Sequence, residues 1–326
     1  MSMATARQSV MDAVDVLDLR HYGSAELRPL LRQESALWAE HMDWDYRGSM
    51  EMVLRYIDSR ILPGYVAVEN GHIAGYAFFV YEGSKGVVGD LFVSCDDPFR
   101  ESAVRGRLLT HVIETLQQTP GVQRIESQLL THDTGAIATP FLQQGFRLYQ
   151  RLFMQLPLRM APRPVPNVAY DIRPWAEADF HSAAQVITAS YAGHIDAQIN
   201  DQYRSAAGSL RFLNNIVRFP GCGVFDPGSS FGAMSRVTGA LAGLILCSKV
   251  REDVGHVTQI CVLPQHRGQG LGALLMAECC QALTRRKFTE LSLTVTEANR
   301  EAVTLYKKMG FSTRRVFDAF VWEAEG

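Results

Sequence analysis

The sequence predicts an α/β (α+β) protein of two tandem units, each a mixed central sheet flanked by helices. Three observations carry this. FLQQGFRLYQR, ending at Arg151, and LYKKMGFSTRR, ending at Arg315, share one plan: a helix end, a Gly just past it, a Phe, then a basic strand. LRMAPRPVPN, residues 158–167, holds three prolines that remove donors and fix φ, so neither a helix nor a central strand runs through it. The length of 326 residues suits two domains of roughly 150 each. The expected division is 1–158, a linker at 159–167, and 168–326.

In the first unit, alternating and β-branched residues predict strands in VDVLDLR, YVAVENGHIAGYAFFVYEG, VVGDLFVS, RIESQLL and FRLYQRLFMQL, with helices at Ala25–His41, Met50–Ile61, Val104–Gln118 and Ala136–Gln144. The second unit repeats the order. Its strands are expected in VAYDIRPW, SFGAMSR, GALAGLILCSKV, GHVTQICVL, ELSLTVT and FSTRRVFDAFVWEA, and its helices at Phe180–Tyr191, Asp201–Val217, Leu271–Lys287 and Arg300–Met309.

Composition narrows the function. With 47% hydrophobic residues, 20% charged and a formal charge of −2, the chain resembles an ordinary globular protein and offers no basic field for nucleic acid. Its opening residues hold no signal-peptide core, and no apolar run approaches the length of a membrane span, so a cytoplasmic protein with no membrane partner is expected. Cys95, Cys222, Cys247, Cys261, Cys279 and Cys280 show neither CxxC nor metal-ligand spacing and read as buried free thiols, so no metal is expected.

The chemistry concentrates in VLPQHRGQGLGALL, from Val262 to Leu275. A strand feeds a helix through three glycines in five residues, where unpaired N–H groups and the helix dipole suit a phosphate. A dinucleotide site is one reading, since Gly268-x-Gly270-x-x-Ala273 meets that loose fingerprint. It sits badly here, because such a turn follows the first strand of its domain and Glu290 precedes its strand. The alternative is acyl-CoA. Arg267, Gly270 and Gly272, followed by Asn299, Ala302, Leu305, Tyr306, Gly310 and Phe311, form R-x-x-G-x-G and N-x-x-A-x-x-L-Y-x-x-x-G-F, a pair of spaced motifs that resembles the GNAT family of N-acetyltransferases.

The resemblance implies two GNAT-like domains and transfer of an acetyl group from acetyl-CoA to an amine of a small molecule or peptide; the alternative is a non-catalytic acyl-CoA-binding or sensor module. It assigns the pantetheine arm to Ile260, Cys261 and Val262, and the pyrophosphate to Arg267, Gly268, Gln269, Gly270, Leu271, Gly272 and Ala273. Asn299 joins them while serving as a helix N-cap. Tyr306, two turns on, is the general acid. His256, six residues before Val262 and on the same side by alternation, is the candidate base, with Glu297 and Asp253 as alternatives. Acceptor choice is expected from Tyr191–Gly223, which holds His194, Asp196, Asn200, Asp201, Tyr203 and Arg204.

The first half departs from this pattern. Arg100–Arg105 lacks the glycines, Thr134 stands at the place of Asn299, Phe141 at that of Tyr306, and Pro140 interrupts the helix. It is expected to be a degenerate copy that packs against the working one.

Overall fold

The computed structural model describes residues 14–218 and 223–324. The first thirteen residues, read above for a targeting signal, and Cys222 lie outside them. The chain forms two compact units whose division is not a single cut at the prolines. The first holds residues to Met42, Tyr46–Gln150 and Phe317 onward; the second holds Asp43–Asp45 and Arg151–Val316.

In the first unit β1 (Val14–Asp18), β2 (Gly64–Glu69), β3 (His72–Glu82) and β4 (Lys85–Val93) pair antiparallel in turn. β4 then pairs parallel with β5 (Arg124–Gln128), whose other edge takes Ala319–Glu323 of the last strand. Helices α1 (Ser24–Met42) and α2 (Arg47–Asp58) precede β2; α3 (Pro98–Gln118) crosses from β4 to β5, and α4 (Ala138–Gln143) precedes β6 (Arg147–Pro157).

The second unit follows the same plan. β7 (Tyr170–Pro174), β9 (Phe231–Ser235), β10 (Leu241–Arg251) and β11 (Val254–Val262) pair antiparallel, with the short β8 (Val224–Phe225) beside β10. β11 pairs parallel with β12 (Glu290–Thr296), and β12 takes Arg151–Pro157 of β6 on its far edge. Helices α5 (Phe180–Tyr191), α6 (Asp196–Ile199) and α7 (Ala206–Arg218) lie between β7 and β8; α8 (Leu271–Arg285) crosses to β12, and α9 (Arg300–Lys308) precedes β13 (Ser312–Glu323).

The closing strands are thus exchanged. The end of β6 completes the second sheet, and the end of β13 completes the first. Their sequences allow it, because RLYQR and STRRV are polar halves whereas LFMQL and FDAFV are buried. Only the apolar halves have surface to gain from burial in a core.

Each sheet also carries a bulge one residue beyond the end of its parallel pairing. Parallel pairing stops at Val88↔Ser127 and at Val257↔Leu293, and the register shifts at Gly89 and Thr258 respectively. Past the bulge, Gln259–Val262 pair with β10 but not with β12, leaving a split between β11 and β12. An apolar core lies on each face of the second sheet. One holds Leu271, Leu275, Cys279, Leu283, Leu293, Val295 and Tyr306, the other Ala183, Ile187, Leu213, Leu244 and Cys261.

Three helix expectations need correction. α3 starts at Pro98 rather than Val104, because the Asp97 carboxylate caps Phe99 and Arg100 and Pro98 suits a first helical turn. Arg100–Arg105 is therefore helix, not loop. Pro140 falls inside α4, in its first turn, where a missing N–H costs little. The expected helix over Asp201–Val217 breaks at Ser205 into a 3₁₀ turn (Asp201–Arg204) and α7.

Candidate functional site

The glycine loop, residues 263–270, joins β11 to α8 at the open end of the split. Gly268 and Gly270 adopt φ of 72° and 77°, a region L side chains rarely enter. Among the described residues, a Cβ built on either would meet no atom within 4 Å. At Gly272, inside the helix, a Cβ would make only ordinary contact with Leu305 Cδ2 at 3.6 Å. Packing therefore does not demand glycine at 272, and the space before the helix N-terminus is open. Gly270 is the N-cap and gives no side-chain cap, and the first turn carries no acidic residue, so the N–H groups of Leu271, Gly272 and Ala273 face that space with the dipole's positive end.

Arg267 and Gln269 hold this loop from behind. The Arg267 guanidinium donates to the carbonyls of Ser190 (2.6 Å) and Val262 (3.2 Å), so the side chain assigned to the pyrophosphate is engaged by the protein's own backbone. Gln269 Oε1 accepts from the Tyr170 hydroxyl (2.8 Å), and its carbonyl accepts from Asn167 Nδ2 (3.0 Å). Asn299 caps α9 through Ala302 N at 3.2 Å. Ile260 and Val262 face the α8–α9 core while Cys261 faces the other; burial pushes the Cys261 thiol up to about 12, which removes it as a nucleophile.

Tyr306, 7% exposed, lies in the α8–α9 core with its ring 5.8 Å from Phe311. Burial, and then the Asp196 charge, raise its pKa above that of an ordinary phenol, so it holds its proton at neutral pH. Asp196 stands on the other face. Its Oδ1 accepts from the Thr296 hydroxyl at the tip of β12 and lies 3.5 Å from Arg151 Nη1; its Oδ2 is 3.5 Å from His194 Nδ1. Beside it Tyr191 and Tyr203 stack at 4.3 Å, and the Tyr191 hydroxyl donates to Gln259 Oε1 at 3.0 Å. Gln259 Nε2 and Arg151 Nε are buried without a hydrogen-bond partner among the described residues.

His256 does not suit the base assigned to it. The bulge breaks the alternation: Val257, Ile260 and Val262 share one face, which puts His256 on the face opposite Val262. It is 4% exposed between Trp44 and Phe153, its Nδ1 lies 2.9 Å from Ser292 Oγ, and burial lowers its pKa to about 3. Such an imidazole cannot hold an amine's proton at neutral pH. Asp253 is held by Arg251 and Thr289 at the closed end of β11, and Glu297 faces Arg300 at 3.6 Å. What sequence reading missed is the partnership of Asp196 with Arg151 and Thr296, residues far apart in the chain.

The second unit is thus an α+β domain with a parallel strand pair that splits beside a glycine loop. Residues 196–311, within the second unit, match the acetyltransferase (GNAT) family. Over 110 residues the chain is 34% identical to the mycothiol acetyltransferase of Thermobifida fusca (strain YX), a match spanning 31% of this chain and 31% of that protein, so it covers less than a third of that relative. The crystal structure of a GCN5-related N-acetyltransferase from Sphaerobacter thermophilus superposes with a TM-score of 0.68 at 17% identity, covering 96% of each chain. A tandem GNAT protein from the clavulanic acid biosynthesis pathway gives 0.58 at 14%, covering 96% of this chain and 99% of that one. At these identities the two structures share the fold with this chain.

Proposed function

We propose that this protein transfers an acetyl group from acetyl-CoA to an amine, with all the chemistry in the second unit. The observation that carries this reading is the split between β11 and β12, open beside a glycine cradle and flanked by Tyr306. The open N–H groups at Gly268–Ala273 suit the pyrophosphate, and the edge of Ile260–Val262 that β12 leaves uncovered, whose carbonyls meet only the Tyr191 hydroxyl and the Arg267 guanidinium among the described residues, suits an amide-bearing arm. Bound there, acetyl-CoA supplies an activated thioester. Tyr306 holds a proton at the sulfur position and gives it up as the thiolate leaves, and Asn299 fixes the start of the helix that carries Tyr306. The expected acceptor is a small molecule or a peptide amine, and the mycothiol acetyltransferase relative is compatible with either.

The test is CoA release from acetyl-CoA over a panel of amines, aminoglycosides, polyamines and N-terminal peptides. Tyr306→Phe keeps the ring and removes the donor. Turnover should fall by roughly 10²–10⁴ while acetyl-CoA affinity, read by calorimetry, barely moves. A fall of a few-fold makes Tyr306 a packing residue.

A further inference from the structure

We propose that Asp196 is the group that receives the acceptor's ammonium and takes its proton, a role that rests on the acetyl-transfer reading above. Three observations place it. Asp196 reaches the tip of β12 through the Thr296 hydroxyl and so stands at the mouth of the split, on the face opposite Tyr306. Its charge acts on the Tyr306 phenol, raising that group's pKa after burial has done so. Its surroundings also complete an amine site. Tyr191 and Tyr203 form a stacked aromatic wall, and the Tyr191 hydroxyl donates to Oε1 of the buried Gln259, whose Nε2 has no hydrogen-bond partner among the described residues.

The charged and titratable groups that face Asp196 are Arg151 from β6, Tyr191 at the end of α5, His194 from the connection after it, Tyr203 from the next turn and Tyr306 from α9. Arg151 is the only fixed cation among these, and with the Thr296 hydroxyl it aims the carboxylate; both are positioning residues. The protons balance. The ammonium gives one proton to Asp196, and the amine forms its bond to the acetyl carbon. The carbon–sulfur bond breaks, Tyr306 protonates the sulfur, and the phenolate recovers the second N–H proton. Asp196 then releases its proton to solvent.

The experiment uses the full chain with Asp196→Asn, Asp196→Glu and wild type, each checked for folding by circular dichroism. Two acceptors are compared, a lysine-like amine of pKa about 10.4 and a peptide α-amine near 7.7–8.0. In Asp196→Asn, acetyl-CoA affinity should stay within about twofold, turnover of the high-pKa amine at pH 7 should fall by roughly 10²–10⁴, and the low-pKa amine should lose much less. The deficit should narrow as pH rises and the free amine becomes common, and Asp196→Glu should restore part of the activity. Equal losses on both acceptors at every pH, or no loss, overturn the role while leaving acetyl transfer standing. A wild type that acetylates no amine overturns the transfer reading and this role with it.

Discussion

The two units share strand order, parallel pair and bulge, yet they treat the opening beside that bulge in opposite ways. In the second, residues 263–270 form a glycine loop before a 15-residue helix; in the first, residues 94–97 suffice, and the helix runs to 21 residues. The cradle has in effect been wound into extra helix. Its N-terminus is already satisfied by the Asp97 carboxylate and carries Glu101, so a phosphate would meet negative charge there. The exposed strand edge is closed as well, with His132 Nε2 on the Leu91 carbonyl at 2.9 Å. Asp90, just past the bulge like Gln259, is enclosed by the Tyr46 hydroxyl (2.9 Å) and Leu91 N (2.8 Å). The two units thus differ chiefly at the helix N-terminus, capped by a carboxylate in the first and by a bare glycine in the second.

The largest way to break this comparison is to end the chain after Val316. Phe317, Ala319, Phe320 and Val321 are fully buried, and Phe320 stacks on Phe141 at 4.1 Å. At about 1.5–3 kcal/mol for each large side chain, their loss rivals the stability of a whole domain. Limited proteolysis should then digest the first unit readily, and resistance equal to that of the full chain would count against the exchange.

Next is pH. His256 titrates near 6.5 when unfolded and about 3 when folded, so the unfolded state binds more protons between those values. Its stability contribution is full above about 6.5 and is lost as pH falls toward 3. Melting of His256→Gln should depend less on pH over that window, and an unchanged slope would show that His256 is not buried neutral.

A smaller effect isolates the cradle. Gly272→Ala should leave the fold intact and even add roughly 0.5 kcal/mol of helix stability, while acetyl-CoA affinity drops on the order of tenfold. Unchanged calorimetric affinity would remove the phosphate from that helix. Smallest is Asp97→Ala, which should cost about 1 kcal/mol through the lost cap and still give no acetyl-CoA binding to the first unit.

Much of this was legible in the residues. Helix Phe180–Tyr191 and strand Glu290–Thr296 follow their periodicity to the last residue, and the glycine loop announces itself by composition. The misses have a common cause. A bulge has no residue signature, so alternation carried from Val262 back to His256 came out on the wrong face. The early start of α3 is signalled by Asp97-Pro98, a capping carboxylate followed by a first-turn proline. The Asp196–Arg151–Thr296 grouping and the exchanged strands depend on pairing across long separations, which local periodicity does not encode.

The exchanged strand also sets a timetable. β5 is made early, but the segment that covers its edge, from Phe317, is separated from the rest of the first unit by the whole second unit. At synthesis rates of about 5–20 residues per second, that edge waits on the order of ten seconds or more for its partner. During that interval the nascent chain presents an unpaired β edge, the kind of surface that recruits the wrong strand or a chaperone. The first unit to leave the ribosome is thus the last to be finished.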